Sequence, residues 1–126
     1  MADAVNRIKF AIIFRFSEII IFNNKLVRSS LRLLWSLGYI SSFTILNKKY
    51  IKLVFKRTIM SHIRQIFIIS KPSSRVYFNL KNIKYTLVNN SISNNSILFC
   101  STSKGLLTDI ECNILSIGGE PVLYVA

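Results

Sequence analysis

Apolar residues recur along this chain in two rhythms, and the rhythms mark its elements. Val5, Ile8, Ile12 and Phe16 follow near-helical spacing, with Arg7 and Lys9 off that face. Asp3 stands where the dipole of a first helical turn favours a negative charge. The pattern predicts a helix over about Ala2–Ile13. Ser17–Phe22 is apolar and β-branched, which predicts a strand. Asn24 can cap a helix over Lys25–Leu37, and Gly38 can end it in the left-handed conformation. Leu26, Val27, Leu31, Leu34 and Leu37 form its core face. Lys25, Arg28, Arg32 and Ser36 fall on the opposite side. Tyr39–Leu46 and Lys49–Arg57 predict two antiparallel strands joined at Asn47-Lys48. In the second of these, Ile51, Leu53 and Phe55 share one face, and Lys52, Val54 and Lys56 the other.

Beyond a link at Thr58–His62 the rhythm shortens. Ile63–Ile69 predicts a strand, and Ser70–Ser74 a loop, because Pro72 cannot donate within a sheet and the serine pair favours a turn. Arg75–Tyr77 predicts a short strand. Asn79 can cap a short helix to about Val88, and Asn89–Ser96 is a polar loop. Ser96–Cys100 reads as a short buried strand, followed by a polar turn at Ser101–Gly105 and the apolar pair Leu106-Leu107. Asp109 can cap a last helical turn through Leu115. Gly118-Gly119-Glu120 breaks it, and Pro121–Val125 is a closing strand. The expected fold is α+β in two small subdomains. Residues 1–60 run helix, strand, helix, strand, strand, and residues 61–126 are mostly strand with short helices.

Charge narrows the function. The net charge is +12 over 126 residues. From Ile19 to Thr108 there is no acidic residue, while 14 of the 17 Lys and Arg lie there. The first 60 residues carry 11 basic and 2 acidic residues, or +9; the other 66 carry 6 and 3, or +3. So one-signed a surface needs an anionic partner, either nucleic acid or an anionic membrane. With no acid near it, the stripe Lys25, Arg28 and Arg32 is a candidate for facing phosphates.

Other classes find less support. Phe10–Phe16 and Ile19–Phe22 are broken by Arg15 and Glu18, and neither approaches the roughly 20 clean residues of a spanning helix. No membrane insertion is expected. Neither a secretory signal nor an Arg- and Ser-rich presequence is read ahead of the first helix. Cys100 and Cys112 form no CxxC and no metal-type cluster, so they read as buried free thiols. His62 is the one histidine and has no triad or ligand partner, and five scattered carboxylates give no acid/base pair. No enzyme activity, cofactor or metal is expected.

The turn Ser101-Thr102-Ser103-Lys104-Gly105 joins three hydroxyls and an ammonium to a residue that lets a partner come close. That combination suits RNA, which presents phosphates together with ribose hydroxyls and base edges. Arg75 and Tyr77 share a strand face and can hold a phosphate and stack on a base. Glu120 carries an unusual charge for an RNA face. It suits accepting hydrogen bonds from backbone amides or a base amino group.

The tail, from Ser101-Thr102-Ser103-Lys104-Gly105-Leu106-Leu107-Thr108-Asp109 to Gly118-Gly119-Glu120 and Leu123-Tyr124-Val125-Ala126, closely resembles the C-terminus of the small-subunit ribosomal protein eight family. Ile69-Ser70-Lys71-Pro72 with Arg75-Val76-Tyr77 is similar to that family's central motif. Asn24-Lys25-Leu26 and Leu37-Gly38-Tyr39-Ile40 resemble its second helix, and Asp3–Ile8 its first. The resemblance implies two α/β subdomains and binding to the central domain of small-subunit ribosomal RNA. It also implies a role in assembly beside small-subunit proteins five and seventeen, without homo-oligomers. Lys71, Arg75, Tyr77, the Ser101–Gly105 turn and Glu120 would then make RNA contacts.

The chain departs from the family at Ser73, where Gly is usual, and at Cys112, Asn113 and Ile114, where a small residue and then basic residues are usual. It also has Asn89–Asn95 in place of a Gly-containing loop. Basic character has shifted to the N-terminal half, as expected of a diverged organelle ribosome. The expected location is the mitochondrial small subunit, with the protein made inside the organelle. A basic peripheral membrane protein and a non-ribosomal RNA-binding protein are the competing readings.

Overall fold

The computed structural model describes residues 1–56, 63–69 and 96–126. It forms two compact units, Met1–Arg64 and Gln65–Ala126, each with its own sheet. The mixed α+β architecture is the one expected. The division expected after residue 60 falls outside the described residues. So do the Thr58–His62 link, the Ser70–Ser74 loop, the Arg75–Tyr77 strand, the Asn79-capped helix and most of the Asn89–Ser96 loop.

In the first unit, α1 (Ala2–Ile13) is followed by β1 (Glu18–Phe22), α2 (Lys25–Ser36), β2 (Ile40–Ile45) and β3 (Tyr50–Phe55). The strands form an antiparallel sheet in the order β1-β3-β2. Ile21 faces Ile51, and Leu53 lies between Ile19 and Phe43. Ile21, Ile51 and Leu53 are fully buried, each contributing roughly 1.5–3 kcal/mol through removal from water. The helices present Ala4, Val5, Ile8 and Ala11 from α1, and Val27, Leu31 and Leu34 from α2.

The buried face of α1 differs from the expected one at its end. Phe16 is 56% exposed, and Ala11 is buried instead. The helix stops at Ile13 because Arg15 turns left-handed, at φ 56°. The Phe16 amide then donates back to the Ala11 carbonyl at 2.9 Å. This closure satisfies helix-end carbonyls but carries Phe16 off the helical face. At α2 both expected signals hold. The Asn24 side chain accepts from the Leu26 amide at 3.2 Å, and Gly38 follows the C-terminus at φ 82°.

The second unit holds β4 (Ile66–Ile68), β5 (Ile97–Thr102), β6 (Gly105–Thr108), α3 (Asp109–Leu115) and β7 (Glu120–Val125). Its strands are antiparallel in the order β4-β7-β5-β6. The last strand in sequence is therefore central, and Pro121–Val125 are all buried. Pro121 sits opposite Cys100 at a register shift, where a missing donor is tolerated. β4 is shorter than the Ile63–Ile69 strand expected. Gln65 and Ala126 nevertheless exchange backbone hydrogen bonds beside it. Leu98, Cys100, Cys112 and Tyr124 make one buried cluster, which packs α3 onto the sheet.

The start of α3 corrects the expected cap. Thr108, not Asp109, is the N-cap. Its hydroxyl accepts from the Glu111 amide at 3.3 Å, and the Glu111 carboxylate accepts from the Thr108 amide at 3.0 Å. Two orphan donors are satisfied reciprocally. Thr108 is also buried, so no water can replace the bond. Thr108→Ala is expected to cost about 1 kcal/mol in urea unfolding, and Thr108→Ser to recover most of it.

Candidate RNA interface

The end of the second sheet gathers residues from two separate sequence motifs. β5 and β6 form a hairpin in which Thr102 pairs with Gly105. The turn is tighter than expected, because Ser101 and Thr102 belong to β5 and only Ser103-Lys104 lies between the strands. The Thr102 hydroxyl donates to the Gly105 carbonyl at 2.8 Å and accepts from the Lys104 amide at 3.2 Å. It therefore staples the turn from inside, while Ser103 and Lys104 project into solvent. Gly105 takes φ 102°, which residues with a Cβ rarely adopt, and apart from its chain neighbours nothing lies within 4 Å of where that Cβ would be. Its conformation demands glycine, and its open side leaves room for a partner.

The tail reaches this hairpin from the other side. Ser101 pairs with Leu106 on β6 and with Glu120 on β7, so Ser101 and Glu120 lie side by side. Just before Glu120, Gly119 passes so close to β5 that a Cβ there would stand 2.5 Å from the Ser101 carbonyl oxygen. Hydroxyls, an ammonium and a carboxylate thus share one sheet end. They offer hydrogen-bond donors and acceptors with one local positive charge.

Electrostatics behind the hairpin are set by burial. Desolvation pushes the Cys100 thiol up, helped by the neighbouring Cys112 and its hydrogen bond. Cys112 is raised as well, again chiefly by burial, so neither thiol offers a thiolate at neutral pH. Burial raises the Asp109 carboxyl from its ordinary value, opposed by backbone hydrogen bonds at Ile110 and Leu98. These groups belong to the packing under the hairpin, not to its exposed edge.

The basic stripe lies in the first unit. Lys25 and Arg32 are exposed on α2, and Arg28 is half-buried. Arg7 pairs with Asp3 and Lys52 with Glu18, both at 3.1 Å, and none of Lys25, Arg28 and Arg32 pairs with a carboxylate among the described residues. Lys71, Arg75 and Tyr77 lie outside the described residues. Two residues announce little of their place in the amino-acid sequence. Gly119 carries no chemistry, and only its approach to Ser101 reveals its role. Trp35 could have been found from helical spacing, since it stands three and seven residues after Arg32 and Arg28. Among the described residues, no helix is long and apolar enough to cross a membrane.

Comparison with known proteins gives these features a context. The family model described as Ribosomal protein S8 matches residues 1–126. The chain is 33% identical to small ribosomal subunit protein uS8m of Acanthamoeba castellanii, over 99% of this chain and 97% of that one. It is 38% identical to uS8c of Bigelowiella natans, over 95% and 92% of the two chains. It is 32% identical to uS8 of Campylobacter hominis, over 99% and 95%. Mitochondrial, chloroplast and bacterial proteins all align with it nearly end to end, and the chain therefore belongs to the ribosomal protein S8 family, the structural components of the small ribosomal subunit.

Proposed function

We propose that this protein binds the central domain of small-subunit ribosomal RNA and supports its assembly in a mitochondrial ribosome, beside small-subunit proteins five and seventeen. The observation that carries this reading is the family match across residues 1–126. The mitochondrial assignment draws on the uS8m relative of Acanthamoeba castellanii, and on the basic load in the N-terminal half. Lys25, Arg28 and Arg32 position the RNA through its phosphates and carry no sequence information. Ser101, Ser103, Lys104 and Gly105 make the selective contact, Thr102 keeps the turn in shape, and Glu120 accepts hydrogen bonds from backbone amides or a base amino group. Lys71, Arg75 and Tyr77 add a phosphate and stacking contact from the central motif.

The test is a titration at fixed salt with a central-domain RNA fragment and an unrelated duplex of equal length. Tight preference for the fragment is expected. Ser103→Ala should weaken the fragment complex roughly tenfold, because its RNA partner is left unpaired, and should leave the duplex complex unchanged. An exposed turn hydroxyl carries little packing, so the melting curve should not move. Equal affinity for fragment and duplex would remove the selective role from the hairpin. Co-sedimentation of the protein with mitochondrial rather than other small subunits tests the location.

A further inference from the structure

We propose that the groove between α2 and β2 is a stacking site for one unpaired nucleobase of the bound RNA. The inference rests on the RNA-binding reading above and adds a contact in the first unit. Trp35, the one tryptophan of the chain, is 57% exposed near the end of α2. With Arg32, Leu33, Ser36, Ser42 and Phe43 it lines a groove of about 600 Å³. That size is within the roughly 300–1,000 Å³ range of small-molecule and cofactor sites.

The position of Trp35 on the helix selects the occupant. Arg28, Arg32 and Trp35 are spaced i, i+4 and i+7, so the aromatic ring continues the basic stripe along one side of α2. Neither arginine has an ion-pair partner among the described residues. Arg32 is the charged residue of the groove's lining, with no acidic residue beside it there. An RNA strand matches this pattern, because it carries phosphates along its backbone and a base with an apolar face beside each. Leu33 and Phe43 are half-buried and supply an apolar floor. The exposed Ser36 hydroxyl donates to the Leu33 carbonyl at 2.9 Å, and its oxygen keeps a lone pair for a polar group of the bound strand. Stacking on an aromatic ring tolerates any base, so this site would add affinity and leave sequence selection to the hairpin.

The lone tryptophan makes the groove directly observable. The full-length protein would be titrated with a single-stranded adenylate oligomer, with binding followed by anisotropy of a labelled strand. Trp35 emission would be excited beyond the tyrosine absorption. Inorganic polyphosphate, which has the charge but no base, serves as the comparison. Saturating oligomer should quench Trp35, and polyphosphate should bind with little quenching. Trp35→Ala should weaken the oligomer complex roughly tenfold, and Trp35→Phe should restore most of it. Oligomer binding without quenching, equal quenching by polyphosphate, or an unchanged affinity of Trp35→Ala would each overturn the proposal while RNA binding stands. The groove would then fit an apolar side chain of a neighbouring protein. Absence of oligomer binding and of central-domain RNA binding together would overturn both readings. Should Trp35→Ala fail to fold, quenching in the native protein and the Trp35→Phe affinity still decide the matter.

Discussion

Raising monovalent salt from roughly 50 to 200 mM is expected to weaken the complex with central-domain RNA by on the order of a thousandfold. Each phosphate neutralised by a lysine or arginine releases condensed counterions, and added salt opposes that release. Lys25, Arg28, Arg32, Lys71, Arg75 and Lys104 are six candidate phosphate contacts in a segment without carboxylates. Six contacts imply a slope of about −5 in a plot of log affinity against log salt. A thousandfold change corresponds to about 4 kcal/mol. Changing both Arg28 and Arg32 to Gln should flatten the slope by about 2. It should also weaken cognate RNA and an unrelated duplex alike, since phosphate contacts carry no sequence information. A slope near zero would show that the +12 charge has another purpose. A loss confined to cognate RNA would move the selective contact from the hairpin to α2.

Gly119→Ala is expected to destabilise the protein by about 3 kcal/mol, at the upper end of ordinary overpacking costs. A Cβ at this position would stand 2.5 Å from the Ser101 carbonyl oxygen and 3.0 Å from the Thr102 methyl carbon. The first of these neighbours is backbone in a strand paired on both sides, so it cannot swing away as a side-chain tip could. Either β7 or the end of β5 must shift. In a thermal melt the loss corresponds to about 15 °C for a domain of this size. Because Ser101 leads directly into the hairpin, central-domain RNA affinity should fall with it. Gly105→Ala provides the contrast. Its space is open and only its backbone angle is wrong for a Cβ, so the expected cost is about 1–2 kcal/mol. A Gly119→Ala protein that melts with the parent would mean that tail and hairpin do not meet as described.

Several parts of this molecule could be read one residue at a time. Asn24 and Gly38 bracket α2 because capping is decided by bonds within a few residues of a helix end. The alternation of Ile51 and Leu53 with Lys52 marks β3 because a strand turns successive side chains to opposite faces. The tail motif marks the candidate hairpin from residue types alone. Even the cap of α3 was within reach. Thr108 and Glu111 carry the spacing of a capping box, but Asp109 is an equally good cap by residue type. The choice between them rests on which backbone enters the helix extended.

The chain by itself thus determined the class of fold, most helix and strand positions, the need for an anionic partner and the family. These follow from contacts two to four residues apart and from summed charge, which are properties of any short window. Tertiary structure alone decided that β7 lies between β4 and β5, that Gly119 presses on Ser101, and that Thr102 holds the turn from within. It alone left Phe16 in solvent. Strand order and close approach arise between segments tens of residues apart. Their partners are chosen by which apolar faces can be buried together once the chain has closed on itself, and no local spacing carries that choice.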